Sequence, residues 1–250
     1  MKMNAATLIA VPQAKELEPL LRAFSDAAGH RSKRVTLGKL EVYLFEEFAL
    51  LFAVGGHGKT QLAVQTQHLI EQETQFEALI CAGAAGSLGG GPTLGDVVVG
   101  TSTIEHDYKL RFVSRPLPCY QADPELVDQF QTAASRVDRG FRVYFGAIAS
   151  GDEDIIAPDR AVEIRQATGA LCVAWEGAGA ARVARFNGLQ FLEMRAITDA
   201  ANHEAPADFQ VNLQRAMPNL ARLLWDWCLA RRHGSPTDGC RGRSSSAAEP

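Results

Sequence analysis

The 250-residue sequence has only five cysteines, Cys81, Cys119, Cys172, Cys228 and Cys240, widely spaced and without a CxxC pair. A zinc site is therefore not expected, and no other metal or cofactor is called for. A reducing cytoplasm is the natural compartment. No stretch approaches the ~18 uninterrupted apolar residues of a membrane span. Met1–Thr7 has no apolar core preceded by basic residues, so no secretory signal is expected there. Basic residues are not in excess. The 25 Lys and Arg face 29 Asp and Glu, a net charge of −4, which argues against a general nucleic-acid binder. What the chain does have is an apolar fraction of 46%, enough to fill a sizeable core and to exclude disorder of the whole chain.

The last twenty residues differ from the rest. Arg231–Pro250 carries four Arg against two acids, three consecutive Ser, and little to bury. It is expected to be a disordered tail. Its charge of +2 leaves −6 on residues 1–230. No Pro/Gly/Ser-rich linker divides that body, so residues 1–230 are expected to form one domain.

Within the body, apolar β-rich runs alternate with helical patterns. Strands are expected over Thr7–Val11, Leu40–Phe45, Leu50–Val54, Ala78–Ala82, Asp96–Ile104, Arg142–Ile148, Leu171–Trp175 and Gln190–Ile197. Helices are expected over Ala14–Ala28, Gln61–Glu73, Pro124–Ser135, Arg160–Thr168 and Glu176–Arg185. A terminal helical region spans Val211–Ala230, which Pro218 should kink or break. This alternation implies an α/β fold with a sheet covered on both faces. Ligands of such folds sit beyond the carboxyl ends of strands. Those ends carry Gly83–Gly86, Ser150–Ile155, Trp175–Glu176 and Thr198–Asp199.

Gly55-Gly56-His57-Gly58-Lys59-Thr60 follows a strand and precedes a helix, and nearly spells a phosphate-binding P-loop. The motif needs a glycine at position 53, which is Ala, and no strand-end Asp for magnesium follows clearly. A tight Gly turn is the expectation, with Lys59 as a solvated helix-start residue.

Several segments in order carry a stronger signal. They are Gly83-Ala84-Ala85-Gly86-Ser87-Leu88 with Leu94–Val99, then Ala149-Ser150-Gly151-Asp152, Val173-Ala174-Trp175-Glu176-Gly177-Ala178, and Arg195-Ala196-Ile197-Thr198-Asp199. Together with the Gly55–Lys59 turn, they resemble the nucleoside phosphorylase and nucleosidase superfamily over residues 7–227. The nearest branch looks like methylthioadenosine/S-adenosylhomocysteine nucleosidase and its hydrolase relatives. The resemblance implies a three-layer α/β/α sandwich around a central mixed sheet. It also implies cleavage of the bond between a purine and ribose in a 5′-modified nucleoside of the methylthioadenosine/S-adenosylhomocysteine, 5′-deoxyadenosine or futalosine type.

Such a cleavage makes the ribosyl carbon cationic while the base leaves poorly as an anion. The resemblance casts Asp199 as the general acid at purine N7, a role that needs a pKa raised by burial. Taken alone, Asp199 would read as a turn or cap Asp. Glu176 matches the Glu that accepts the ribose hydroxyls, with its charge near the developing cation; otherwise it would cap the Ala/Gly-rich helix. Glu16 is the best match for the base that activates water, although it also suits a helix first turn.

The same comparison places Ala84, Gly86, Asp154, Ile155, Trp175, Thr198, His106 and Phe209 against the ligand. Departures stand at Asp154, where an aromatic usually stacks on the base, at Trp175 in place of Met, at Ala174 in place of Glu, and at Ala84 in place of Ser. Trp175 offers a broad stacking face. His106, with Asp107, matches a neighbourhood used for the 5′ side of the ligand and for dimer contact. The stretches Pro12–Ala14 and Ile80–Ala82 lack the Arg that phosphorylases place there, which favours water over phosphate as nucleophile. Arg111 or Arg115 from a neighbouring subunit would be the route to phosphorolysis. The alternatives are thus a phosphate-dependent phosphorylase and a non-catalytic nucleoside-binding protein. The resemblance implies a homodimer; no nucleic-acid or membrane partner is expected.

Overall fold

The structure is a computed structural model, and it describes residues 6–72, 75–135 and 139–234. The chain begins β1 (Thr7–Val11), α1 (Ala14–Ala28), β2 (Lys33–Leu37), β3 (Leu40–Phe45), β4 (Leu50–Val54) and α2 (Gly58–Ile70). It continues β5 (Ala78–Ser87), β6 (Val97–Glu105), β7 (Cys119–Gln121), α3 (Pro124–Ser135), β8 (Val143–Ser150) and α4 (Pro158–Thr168). It ends β9 (Cys172–Ala174), α5 (Gly177–Asn187), β10 (Gln190–Asp199) and α6 (Ala205–Gly234).

The strands form one mixed sheet in an α/β/α arrangement, and period-two alternation explains why its central strands read as unbroken apolar runs. On β1, Ile9 and Val11 face a core built with Leu17, Leu20 and Phe24 of α1 and Leu213, Leu220 and Leu224 of α6. Leu8 and Ala10 face the opposite core, built with Leu62 and Leu69 of α2 and Ala180 and Ala184 of α5. Strands β10, β5, β1 and β4 lie side by side and run parallel, so their carboxyl ends form one rim. The sheet also closes on itself. β5 pairs with β10, β10 with β6, β6 with β8, β8 with β9, and β9 returns antiparallel to the end of β5.

Three expectations are corrected here. β5 does not stop at Ala82; it runs through Gly83–Gly86 to Ser87, because β10 stays paired with it as far as Asp199↔Gly86. Pro218 does not end the last helix, which runs from Ala205 to Gly234. Leu213, Ala216, Met217, Leu220 and Leu224, all buried around the proline, hold both halves on the core. The expected tail begins later than Arg231, since α6 includes residues 231–234; the rest of it lies outside the described residues.

The exposed strands β2 and β7 were not expected. Lys33–Leu37 and Cys119–Gln121 are short edge strands with no fully buried residue, so they lack the apolar signal.

Candidate active site

One cavity of about 350 Å³ opens on the rim formed by β5, β10, β1 and β4. It is lined by Glu16, Ala84, Gly86, Asp154, Ile155, Trp175, Glu176, Thr198, Asp199 and Phe209. Ten of the eleven residues singled out in the sequence therefore meet in one place.

The exception is His106. It follows the end of β6, donates its backbone N–H to Ser150 O at 3.0 Å, and tucks its ring behind Gly151. The ring is buried, away from the cavity wall, and neither ring nitrogen has a hydrogen-bond partner among the described residues. Burial holds its pKa down against the nearby Asp107 and Glu153, which favours the neutral ring. Arg111 and Arg115 are exposed and do not line the cavity.

Glu16 lies in the first turn of α1, but its carboxylate leaves the helix and accepts the Ala84 N–H at 2.8 Å. It is 2% exposed. Burial, reinforced by repulsion from Glu176, pushes its pKa up to about 7 against the Ala84 N–H and the Arg195 charge. The small residues of β5 make this approach possible. A Cβ at Gly83 would stand 2.7 Å from Glu16 Oε2, and one at Gly86 would stand 2.6 Å from Asp199 Oδ1. Ala84 and Gly86 are two residues apart on one strand, so these two carboxyl positions are offset by ~7 Å along it.

Asp199 closes β10. Its Oδ1 accepts the Ala201 N–H at 3.0 Å, and Oδ2 accepts the Thr198 hydroxyl at 2.9 Å. Asp199 is thus both a turn residue and a cavity residue. Burial raises its pKa despite these two donors.

Glu176 sits at the start of α5 but does not cap it. Ser150 does, accepting the Ala178 N–H at 2.9 Å on its hydroxyl. The Glu176 carboxylate instead accepts the Gly58 N–H at 3.1 Å, and meets His57 Nδ1 at 3.2 Å and Arg195 Nη1 at 3.2 Å. Burial opposes its charge, but His57, Arg195 and the Gly58 N–H outweigh burial and hold its pKa below the usual carboxylate range.

Two site residues went unrecognised in the sequence. Arg195, 1% exposed, points from β10 into the site and pairs with Glu193 at 2.8 Å as well as with Glu176. The clue was a cation and an anion at i and i+2 in an apolar strand, hence on one face. His57 stacks on Trp175, with ring centroids 4.3 Å apart and planes 22° from parallel. His57 thus covers one face of Trp175, which also lines the cavity.

The Gly55–Lys59 turn is no phosphate cradle. Its Gly58 N–H goes to Glu176 and its Lys59 N–H to Asp152 Oδ1 at 2.8 Å, so both amides face carboxylates of the protein. Nor is Lys59 solvated. Its ammonium, 15% exposed, binds Glu105 at 2.9 Å and Asp107. The Ser150–Ile156 loop is held from its other side by Arg160, which grips both oxygens of Glu153 at 2.8 Å.

The family model of the Phosphorylase superfamily matches residues 5–227. The chain belongs to this superfamily. Among its relatives, a 5′-methylthioadenosine/S-adenosylhomocysteine nucleosidase of Thermotoga maritima is 29% identical over 205 residues, covering 80% of this chain and 87% of that protein. The fold is also that of solved superfamily structures. One is the nucleosidase of the same description from Neisseria meningitidis in complex with methylthio-immucillin-A. It has a TM-score of 0.76 and 27% identity, over 89% of this chain and 97% of that one. Another is the native futalosine hydrolase of Helicobacter pylori, with a TM-score of 0.78 and 22% identity over 90% and 97% of the two chains.

Proposed function

We propose that this superfamily member is a nucleosidase that hydrolyses the base–ribose bond of a 5′-modified purine nucleoside. The observation that carries the proposal is the convergence of three carboxyl groups in different electrostatic states on one cavity. Asp199, its pKa raised by burial, is suited to hold a proton and give it to N7 of the departing base. Glu176, held ionised, accepts the ribose hydroxyls and lies near the positive charge that grows on C1′. Glu16, poised near 7, takes the proton of the attacking water as its oxygen bonds to C1′. Ala84, Gly86, Ile155, Thr198 and Phe209 shape the walls around base and sugar, with Asp154 at the rim. The single domain is taken to run to the end of α6 at Gly234.

Water is favoured over phosphate by the state of Arg195, the one arginine lining the cavity among the described residues. The Arg195 guanidinium is buried and committed to Glu193, Glu176 and the Ala84 carbonyl. Arginine is the residue suited to bidentate pairing with a phosphate dianion, and here its guanidinium is already engaged. The expected result is release of free base and free sugar at a rate independent of phosphate, measured by product analysis with and without it. Strict phosphate dependence, with a sugar 1-phosphate as product, would establish the phosphorylase alternative.

Glu16 also sets a pH dependence. A base works only when deprotonated, so kcat/KM should climb as pH rises through about 7, the value of Glu16 in the free protein. A pH–rate profile that is flat across this range would remove Glu16 from the base role.

A homodimer is proposed through the segment after β6, where Tyr108, Leu110, Phe112 and Val113 expose apolar side chains together. A reducing cytoplasmic setting fits the free thiols, of which Cys119 is exposed.

A further inference from the structure

Glu193 is a buried acid to which the proposed hydrolysis gives no part. It is 0% exposed and does not line the cavity. It stands two residues before Arg195 on β10, so both side chains leave the same face of the strand. Its carboxylate accepts the Arg195 Nε–H at 2.8 Å and the hydroxyl of Thr103 on β6. It also lies under the first turn of α5, where a Cβ at Gly177 would collide with it. Because α5 starts directly after Glu176, this carboxylate packs against the backbone that carries Glu176.

A guanidinium is a rigid fork, so fixing one edge fixes the rest. With Nε held by Glu193, Nη1 faces Glu176 at 3.2 Å and the Ala84 carbonyl at 3.3 Å, and Nη2 points at Cys81 Sγ, 3.5 Å away. Arg195 and Glu16 meet across Gly83. A Cβ there would stand 2.8 Å from Arg195 Nη1 and 2.7 Å from Glu16 Oε2. Glu16 therefore feels the Arg195 charge at close range. The other charged groups facing Glu16 are Glu176, Lys15 on its own helix, and His57 on the turn after β4. A second carboxylate behind Arg195 offsets the positive charge that would otherwise ionise Glu16 at lower pH.

We infer that Glu193 is a positioning residue of the hydrolysis: it holds Arg195 from behind, turns Nη1 onto Glu176, and takes up part of the charge that Glu16 would otherwise meet. This role rests on the nucleosidase reading. The test compares the native protein with Glu193→Gln and Glu193→Asp. The substrate is whichever of methylthioadenosine, S-adenosylhomocysteine, 5′-deoxyadenosine and futalosine the native protein cleaves fastest. Base release gives kcat and KM over about pH 5–9. Gln keeps an oxygen for the Nε–H and removes the charge. The rising limb of kcat/KM should then move to lower pH by roughly half a pH unit or more. On the plateau, kcat should fall roughly threefold or more with KM within about twofold, because a weaker base takes the proton of water less well. Asp draws the charge back from Nε, so its limb should move the same way by less; it carries the test if the Gln variant does not fold. Partial unfolding alone would scale kcat and leave the limb in place. A limb that stays put or moves to higher pH, or a native profile without such a limb, overturns the inference while leaving the nucleosidase standing. If none of the four nucleosides releases base, the nucleosidase reading itself fails and takes the inference with it.

Discussion

Asp199→Asn should lower kcat by about a thousandfold while leaving substrate affinity within a few-fold of the native protein, in line with the 10²–10⁴ contributed by a general acid. Asn keeps the size of the side chain, and its oxygen can still accept the Ala201 N–H now bonded at 3.0 Å. It lacks the carboxyl proton that the departing base requires. Turnover and binding should therefore separate: single-turnover base release collapses, while a calorimetric or fluorescence titration still reports the complex. A variant that keeps more than a tenth of the native kcat would show that the base leaves without help from Asp199. A variant that loses binding in equal measure would make Asp199 a recognition residue.

Arg195→Met should cost about 3–5 kcal/mol of stability, the usual penalty for removing one partner of a buried ion pair. Both acids it serves are almost inaccessible, Glu193 at 0% and Glu176 at 3% exposure. Thr103 gives Glu193 one hydrogen bond and cannot neutralise it. The position also couples stability to chemistry, because the same guanidinium helps to keep Glu176 ionised. Urea unfolding should show the loss as a lower midpoint with little change in slope. Adding Glu193→Gln should restore part of it, a coupling that a double-mutant cycle would read. A loss below about 1 kcal/mol would mean that water or rearrangement satisfies both carboxylates.

The architecture was legible wherever burial imposed a period. Strands covered on both faces, such as Thr7–Val11 and Leu50–Val54, and the one-sided helix Ala14–Ala28 have the bounds expected of them. Exposed β2 and β7 carry no such pattern. The end of β5 was misjudged because glycine marks a turn as readily as a close approach; here it admits Glu16 and Asp199 to the strand. Glu176 and Asp199 could be located because each stands at the end of an apolar strand, and Glu16 through the family resemblance. Their state could not. The pKa of Glu16 depends on burial under Ala84 and on Glu176, which lies 160 positions away in the chain. The roles of Arg195 and His57 were hidden for the same reason. An Arg in a strand, or a His in a glycine turn, acquires meaning only from the carboxylate opposite. The missed burial of His106 is the converse. A His-Asp pair after a strand looks like a site, and only packing against Gly151 shows the ring turned inward.

Hydrolysis in ¹⁸O-labelled water identifies the nucleophile that attacks C1′. A panel of 5′-modified purine nucleosides is incubated with the protein in phosphate-free buffer, and the sugar product is analysed by mass spectrometry. The expected products are a sugar with one ¹⁸O atom at C1 and an equal amount of free base. Absence of free base, or its release only when phosphate is supplied with the label missing from the sugar, would contradict hydrolysis by water.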